Sequence, residues 1–260
     1  MTLQSRSELK TAKRIVIKVG SSSISGANVG QIDMLATAIA HCHKRGQEVI
    51  LVSSGAIATG MPLLNLESKP DDLPTSQALA AVGQSRLISR YQQSLEQFEI
   101  IVGQVLLTLG DLEAEETRVN AKNAIDRLVS LKVLPIVNEN DTVATAEIRF
   151  GDNDRLAALV ASIVEADALV LLSDVDALYD MPPSKPEAKR ITSVPFGQSL
   201  DEIEIGGTST GYGTGGAVTK VGAAKIAAEN GIAVLLTSTP NVSLALDGQD
   251  VGTWFEPSSE

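Results

Sequence analysis

Short, almost wholly apolar runs alternate along the chain with longer segments whose apolar positions recur every three to four residues. The short runs predict strands at Arg14–Val19, Glu48–Ser53, Ile100–Leu107, Val133–Val137, Ala168–Ser173 and Ile232–Thr237, with Val251–Phe255 as one more. The periodic segments predict helices at Gln31–Arg45, Ser76–Phe98, Thr117–Leu131, Asn153–Ala166 and Ala217–Asn230. Strands that alternate with helices predict an α/β protein, a three-layer αβα sandwich around a mostly parallel central sheet. Thr142–Phe150 alternates small apolar and polar residues and suggests a short extra hairpin. Met181–Arg190 reads as a surface loop, and the acidic then glycine-rich Asp201–Gly216 as a long functional loop. No repeat or linker divides the chain, so one domain over residues 1–260 is expected, with a frayed tail and no appended domain.

Composition sharpens that picture. Hydrophobic residues make up 43% of the 260 positions but aromatics only 3%, so Ala, Val, Ile and Leu must fill the core, as they do in parallel sheets. The formal net charge of −11 argues against nucleic acid as a partner, which requires a basic footprint. It leaves room for a small anion held by a few local cations. No apolar run has the length of a membrane span, and the first residues lack the apolar stretch of a signal peptide. The single Cys42 cannot form an internal disulfide, which fits a cytoplasmic protein.

Several segments carry candidate chemistry. Lys18 lies near the end of a buried-type strand and is followed by Gly20 and three serines. It either meets a compensating charge or snorkels from an edge strand. Ser53, Ser54, Gly55 and Ala56 mark the next strand-to-helix handover, at the strand end where α/β folds bind ligands. Asn138–Asp141 (NEND) follows a strand and Gly151–Asp154 (GDND) opens a helix. These residues suit the ammonium, carboxylate and carbonyl groups of an amino acid, or else serve only as turns and caps. Ser173, Asp174 and Asp176 end a strand, where carboxylates could touch a ribose or orient lysines.

Gly211, Gly213 and Gly216 formally match a dinucleotide fingerprint. They follow no clear strand, and the next strand ends without an acidic residue for a ribose. The same loop can cradle phosphate at a helix N-terminus, with Lys220 about one turn further on. His41 and His43 point to different faces of one helix and make no metal pair. No His/Cys cluster for zinc and no serine-hydrolase elbow is present.

In order, the motifs IKVGSS, VSSGAIATG, LAAVGQSRL, IVNENDTVATAEI, FGDND, LLSDVDALY and GTGGAVTK resemble the amino acid kinase family from Lys18 to Phe255. The nearest branch phosphorylates the γ-carboxylate of L-glutamate to γ-glutamyl phosphate, the first step of proline biosynthesis. The resemblance is to the short form of that branch, without a C-terminal PUA domain. The resemblance implies the amino acid kinase fold, ATP as phosphoryl donor with ADP as product, and Mg²⁺ carried mainly by the nucleotide phosphates. It implies L-proline as feedback inhibitor and a homo-oligomer, dimer or tetramer.

By resemblance, Lys18 and Lys220 hold the phosphoryl group in flight and Asp154 organises both lysines. Ser54, Asp141 and Asn153 hold glutamate, with Asn138 assisting. Ser173, Asp174, Thr214, Gly215, Gly216, Ala217, Val218, Thr219 and Lys220 form the nucleotide site, together with Lys18. Two small departures are present: Ser173 stands where Thr is common, and Ala217-Val218 where Met-Ser can occur.

The chemistry agrees with that set. A γ-carboxylate titrates near ~4.3, so it is already a nucleophile at neutral pH and needs no base. The obstacle is its repulsion by a polyphosphate, which lysines, backbone N–H groups and Mg²⁺ offset. Relatives acting on aspartate, acetylglutamate, carbamate or UMP are the enzyme alternatives, and a non-catalytic proline or glutamate sensor is the alternative from another class. A hydride-transfer enzyme would rest on the glycine pattern alone.

Overall fold

The computed structural model describes residues 2–143, 153–181, 185–200 and 217–259. Its centre is an eight-stranded sheet in the order β3-β4-β2-β1-β5-β7-β8-β6. The strands are β1 (Arg14–Val19), β2 (Glu48–Ser53), β3 (Val102–Leu107), β4 (Leu134–Glu139), β5 (Ala168–Ser173), β6 (Ser193–Val194), β7 (Ala233–Ser238) and β8 (Thr253–Phe255). β1 pairs in parallel with β2 and with β5, and β5 with β7. β8 is antiparallel to β7, with β6 paired to it at the edge. The expected mostly parallel α/β architecture is therefore present.

The helices are α1 (Gln31–Lys44), α2 (Ala56–Leu63), α3 (Leu73–Glu96), α4 (Leu109–Glu113), α5 (Glu115–Ser130), α6 (Asn153–Ile163), α7 (Ala217–Glu229) and α8 (Val242–Leu246). Two apolar layers follow from the period-2 alternation of the strands. On one face Ile15, Ile17 and Val19 pack with Leu35 and Ile39 of α1, Leu87 and Tyr91 of α3 and Leu246 of α8. On the other, Val16, Ile50 and Leu171 pack with Ile125 of α5, Val160 of α6 and Ala224 of α7. Alternation places Lys18 on the same face as Val16, under α6 and α7.

Several boundaries differ from the sequence expectation for local reasons. α3 starts three residues earlier than Ser76, because the Asp72 carboxylate caps it by accepting from the Thr75 N–H at 2.8 Å. β3 starts at Val102, where its pairing with Leu134 begins. β4 runs on to Glu139, since Asn138 and Glu139 pair with Leu106 and Leu107. The segment expected as a hairpin at Thr142–Phe150 lies outside the described residues after Val143, and so does the loop Asp201–Gly216.

Glycines fix the turn after β2. Gly55 adopts φ +99, a left-handed conformation that glycine accepts freely. On α3, a Cβ added to Gly83 would lie 1.8 Å from the Ala56 carbonyl oxygen, so only glycine lets α3 pass so close to α2.

Candidate active site

The parallel strands end on one edge of the sheet, and the loops there bring the polar residues together. Lys18, next to last in central β1, is only 4% exposed. It is therefore not a snorkelling edge lysine. Its ammonium lies 2.5 Å from Asp154 Oδ1. Asp154 sits in the first turn of α6, where the helix dipole favours a carboxylate, and is 1% exposed. Its other oxygen accepts from Lys220 Nζ at 3.2 Å and from the Thr219 hydroxyl at 2.8 Å. Lys220 ends the first turn of α7 and is 6% exposed. Three residues far apart in sequence thus form one buried ionic bridge, because β1, α6 and α7 pack on the same face.

The electrostatics follow from this geometry. Burial alone would push the Asp154 carboxyl up, but the ammonium groups of Lys18 and Lys220 and the hydrogen bond from Thr219 outweigh it. They hold the carboxyl down at about 2. Burial pulls Lys220 below the ordinary lysine range, and the neighbouring Lys18 charge adds to that, while Asp154 and Asp174 oppose it. Asp154 is ionised at any working pH. A bound anion would relieve the repulsion between the two lysines that it joins. A Cβ on Gly20 would lie 3.8 Å from the Lys18 ammonium, so the turn after β1 packs directly beside the charge.

A second, neutral cluster adjoins the bridge. Asn153, the residue before Asp154, places its Nδ2 at 3.0 Å from the Ser53 carbonyl, 2.9 Å from Ser54 Oγ and 2.9 Å from Asn138 Oδ1. Ser54, Asn138 and Asn153 are therefore brought together as the sequence suggested. Asn138 Nδ2 and Asn153 Oδ1 are buried without a hydrogen-bond partner among the described residues. A donor and an acceptor left so are costly unless a ligand completes them. Asp141 lies in the turn after β4, partly buried. Burial raises its carboxyl to about 6, against the opposing charge of Lys69.

Ser173 and Asp174 stand at the end of β5, where the Ser173 hydroxyl donates to Asp174 Oδ1 at 3.0 Å. Both line an open cleft of about 510 Å³ that also takes in Asp176, Ser23 and Ser238. Ser238, the last residue of β7, carried no sequence signal. Ser23 belongs to the small-residue turn after Lys18, which did. Of the glycine-rich candidates, Thr214, Gly215 and Gly216 lie outside the described residues. Ala217 and Val218 open α7, with Val218 exposed. Thr219 is turned to Asp154.

His41 is exposed and His43 half-buried near the end of α1, which leads into the start of β2 and so lies at the opposite edge of the sheet. Among the described residues no group of three or more His, Cys, Asp or Glu could hold a metal ion, and no helix is long and apolar enough to cross a membrane.

Comparison with known proteins adds to this geometry. The model of the "Amino acid kinase family" matches residues 13–238. The chain is 65% identical over 257 residues to the "Glutamate 5-kinase" of Clavibacter michiganensis subsp. michiganensis, covering 99% of each chain. It is 64% identical to the "Glutamate 5-kinase" of Clavibacter sepedonicus, covering 100% of each. The protein of the same name from Streptomyces avermitilis is 50% identical, and the match spans 98% of this chain and 70% of that one. Among solved structures, "Carbamate kinase from Giardia lamblia bound to AMP-PNP" superposes with a TM-score of 0.67 at 19% identity, over 96% of this chain and 100% of that one. At that identity the likeness concerns the fold.

Proposed function

Because the chain belongs to the amino acid kinase family, we propose that it transfers the γ-phosphoryl group of ATP to the γ-carboxylate of L-glutamate. The products are γ-glutamyl phosphate and ADP. The observation that carries the mechanism is the buried Lys18–Asp154–Lys220 bridge. The substrate follows from the relatives named glutamate 5-kinase at 64–65% identity over nearly the whole chain.

The reaction joins a γ-carboxylate oxygen to the γ-phosphorus and breaks the bond from that phosphorus to the β–γ bridging oxygen. The electron pair leaves with ADP. No proton must be removed from the nucleophile, since a carboxylate is ionised at neutral pH. Lys18 and Lys220 neutralise the meeting of the carboxylate with the γ-phosphate and the charge that builds on its oxygens. Asp154 holds the two ammonium groups at a fixed separation while remaining outside the reaction. Such positioning removes the cost of organising charges at the moment of transfer.

Ser54, Asn138, Asn153 and Asp141 take the amino acid. The unpaired amide atoms of Asn138 and Asn153 supply a donor and an acceptor, and Asp141 supplies a charge for the α-ammonium group. Ser173 and Asp174 take the nucleotide in the cleft at the end of β5, and by the family resemblance the residues from Thr214 to Lys220 share in holding it. Mg²⁺ would ride on the nucleotide phosphates and would shield their charge. Both oxygens of Asp154 are already engaged by the lysines, which fits a metal carried by the substrate rather than by that carboxylate.

Proline shares the α-amino and α-carboxylate groups of glutamate, so it competes for the same pocket and acts as feedback inhibitor. On this reading the protein is a cytoplasmic homo-oligomer. ADP release measured with glutamate and with aspartate tests the proposal. Glutamate-dependent release by the wild type, lost in Lys18→Ala and Lys220→Ala, supports it. Equal turnover of aspartate overturns the substrate.

A further inference from the structure

Resting on the assignment of Ser54, Asn138 and Asn153 to the amino acid pocket, we infer that Tyr91 is a positioning residue for that pocket, acting through Ser53. Tyr91 is on α3, 1% exposed, in the apolar layer on the opposite side of the sheet from α6 and α7. Its hydroxyl lies 2.9 Å from Ser53 Oγ, and Ser53 itself is fully buried. The Ser53 hydroxyl donates to the Ser54 carbonyl at 3.0 Å. A serine has one O–H to give. With that proton committed, Tyr91 is the donor to Ser53.

The two residues so held are those that hold Asn153. The Ser53 carbonyl and Ser54 Oγ both accept from Asn153 Nδ2, at 3.0 and 2.9 Å. The relay therefore runs from the Tyr91 O–H to Ser53 Oγ, from Ser53 O–H to the Ser54 carbonyl, and from this fixed turn to Asn153 in the pocket. The turn needs such a tie, because Gly55 follows at φ +99 and adds little stiffness of its own. On the other side, the Ser54 N–H is tied to the Val19 carbonyl at 3.1 Å. Burial raises the Tyr91 phenol, so it stays neutral and able to donate.

Packing alone does not account for the hydroxyl. Phenylalanine fills the same space without a polar group, and a buried hydroxyl is costly unless bonded. The bond is made to the residue next to Ser54.

The test compares Tyr91→Phe, Ser53→Ala, the double variant and Asn153→Ala with the wild type. It reads KM for glutamate and for ATP, kcat and Tm. Loss of one hydrogen bond at the pocket predicts a rise in glutamate KM of about three- to tenfold in Tyr91→Phe, with the ATP KM changed by less than about twofold. Ser53→Ala should do at least as much and provides the test should Tyr91→Phe fold poorly. The double variant should be no worse than Ser53→Ala, since the two groups act in series.

A lowered Tm with unchanged glutamate KM in Tyr91→Phe and Ser53→Ala would reduce Tyr91 to a packing residue. Parallel rises in the glutamate and ATP KM would also overturn the relay. Should Asn153→Ala raise glutamate KM while both relay variants leave it unchanged, the pocket stands and the relay alone falls. Should Asn153→Ala leave it unchanged as well, the pocket assignment fails and the relay falls with it.

Discussion

Replacing Asp154 by asparagine separates a helix cap from an organiser of charge. At the first turn of α6 a cap or dipole role is worth only ~0.3–1 kcal/mol, and asparagine caps about as well as aspartate. On that basis Asp154→Asn would be folded and fully active. The geometry says otherwise. The carboxylate is 1% exposed and bridges two ammonium groups that are 4% and 6% exposed. The amide keeps one oxygen but turns the other acceptor into a donor, facing either Lys18 or Lys220 with Thr219.

Removing one partner of a buried ion pair costs roughly 3–5 kcal/mol, because an uncompensated charge remains. At roughly 2–4 °C per kcal/mol for a chain of this size, that is a Tm lower by about 6–20 °C. Loss of a lysine proton can absorb part of the cost, and Lys220, already lowered by burial, is the group to lose it. The rate should fall further than the stability. A displacement of ~1 Å in catalytic groups costs on the order of 100-fold, so kcat should drop at least that much at a temperature where the variant is folded. Steady-state ADP release and thermal melts on the same preparation measure both. A folded Asp154→Asn enzyme with kcat within about threefold of wild type would reduce Asp154 to a helix cap.

Lys18→Ala and Lys220→Ala should each lower kcat by at least two orders of magnitude, as expected of a cation that matters most in the transition state; near-wild-type kcat in either would make that lysine a bystander. Asp141→Ala and Asn153→Ala should raise the glutamate KM strongly and the ATP KM little, and should weaken proline inhibition; a selective rise in the ATP KM would mean that the two pockets are exchanged. Asp141, raised to about 6 by burial, is protonated below that pH, so the glutamate KM should climb as pH falls through 6, by up to about tenfold per unit. The sign for stability is opposite: the ionised form is the penalised one, so the unliganded protein should lose stability as pH rises from the unfolded carboxylate value of ~3.9 to about 6. A KM flat from pH 5 to 8, or identical in Asp141→Asn, would remove Asp141 from the pocket.

The sheet was legible because its inner strands are unbroken apolar runs. RIVIKV, EVILVS and ALVLLS allow few other readings, and their limits match β1, β2 and β5. β6 was not, since Ser193–Val194 is too short to show a period. α8, VSLAL, is likewise too short to show a helical period, and it packs on α1. The lysines and aspartates of the site stood out as charges in apolar or turn-forming settings. Their convergence came from the family resemblance and not from the local pattern, as did that of Asn153 with partners 15 and 99 positions away. Tyr91 sits on an ordinary apolar stripe of α3, and only the fold shows that its hydroxyl meets Ser53.

Transfer of the phosphoryl group to a glutamate γ-carboxylate leaves an acyl phosphate, γ-glutamyl phosphate. Hydroxylamine traps γ-glutamyl phosphate as its hydroxamate, so the most direct measurement is hydroxamate formed from ATP, Mg²⁺ and glutamate, with aspartate and acetylglutamate in parallel. ATP-dependent hydroxamate is expected with glutamate, far above either control and abolished in Lys220→Ala. Equal or greater product from aspartate or acetylglutamate, or none from glutamate, would contradict it.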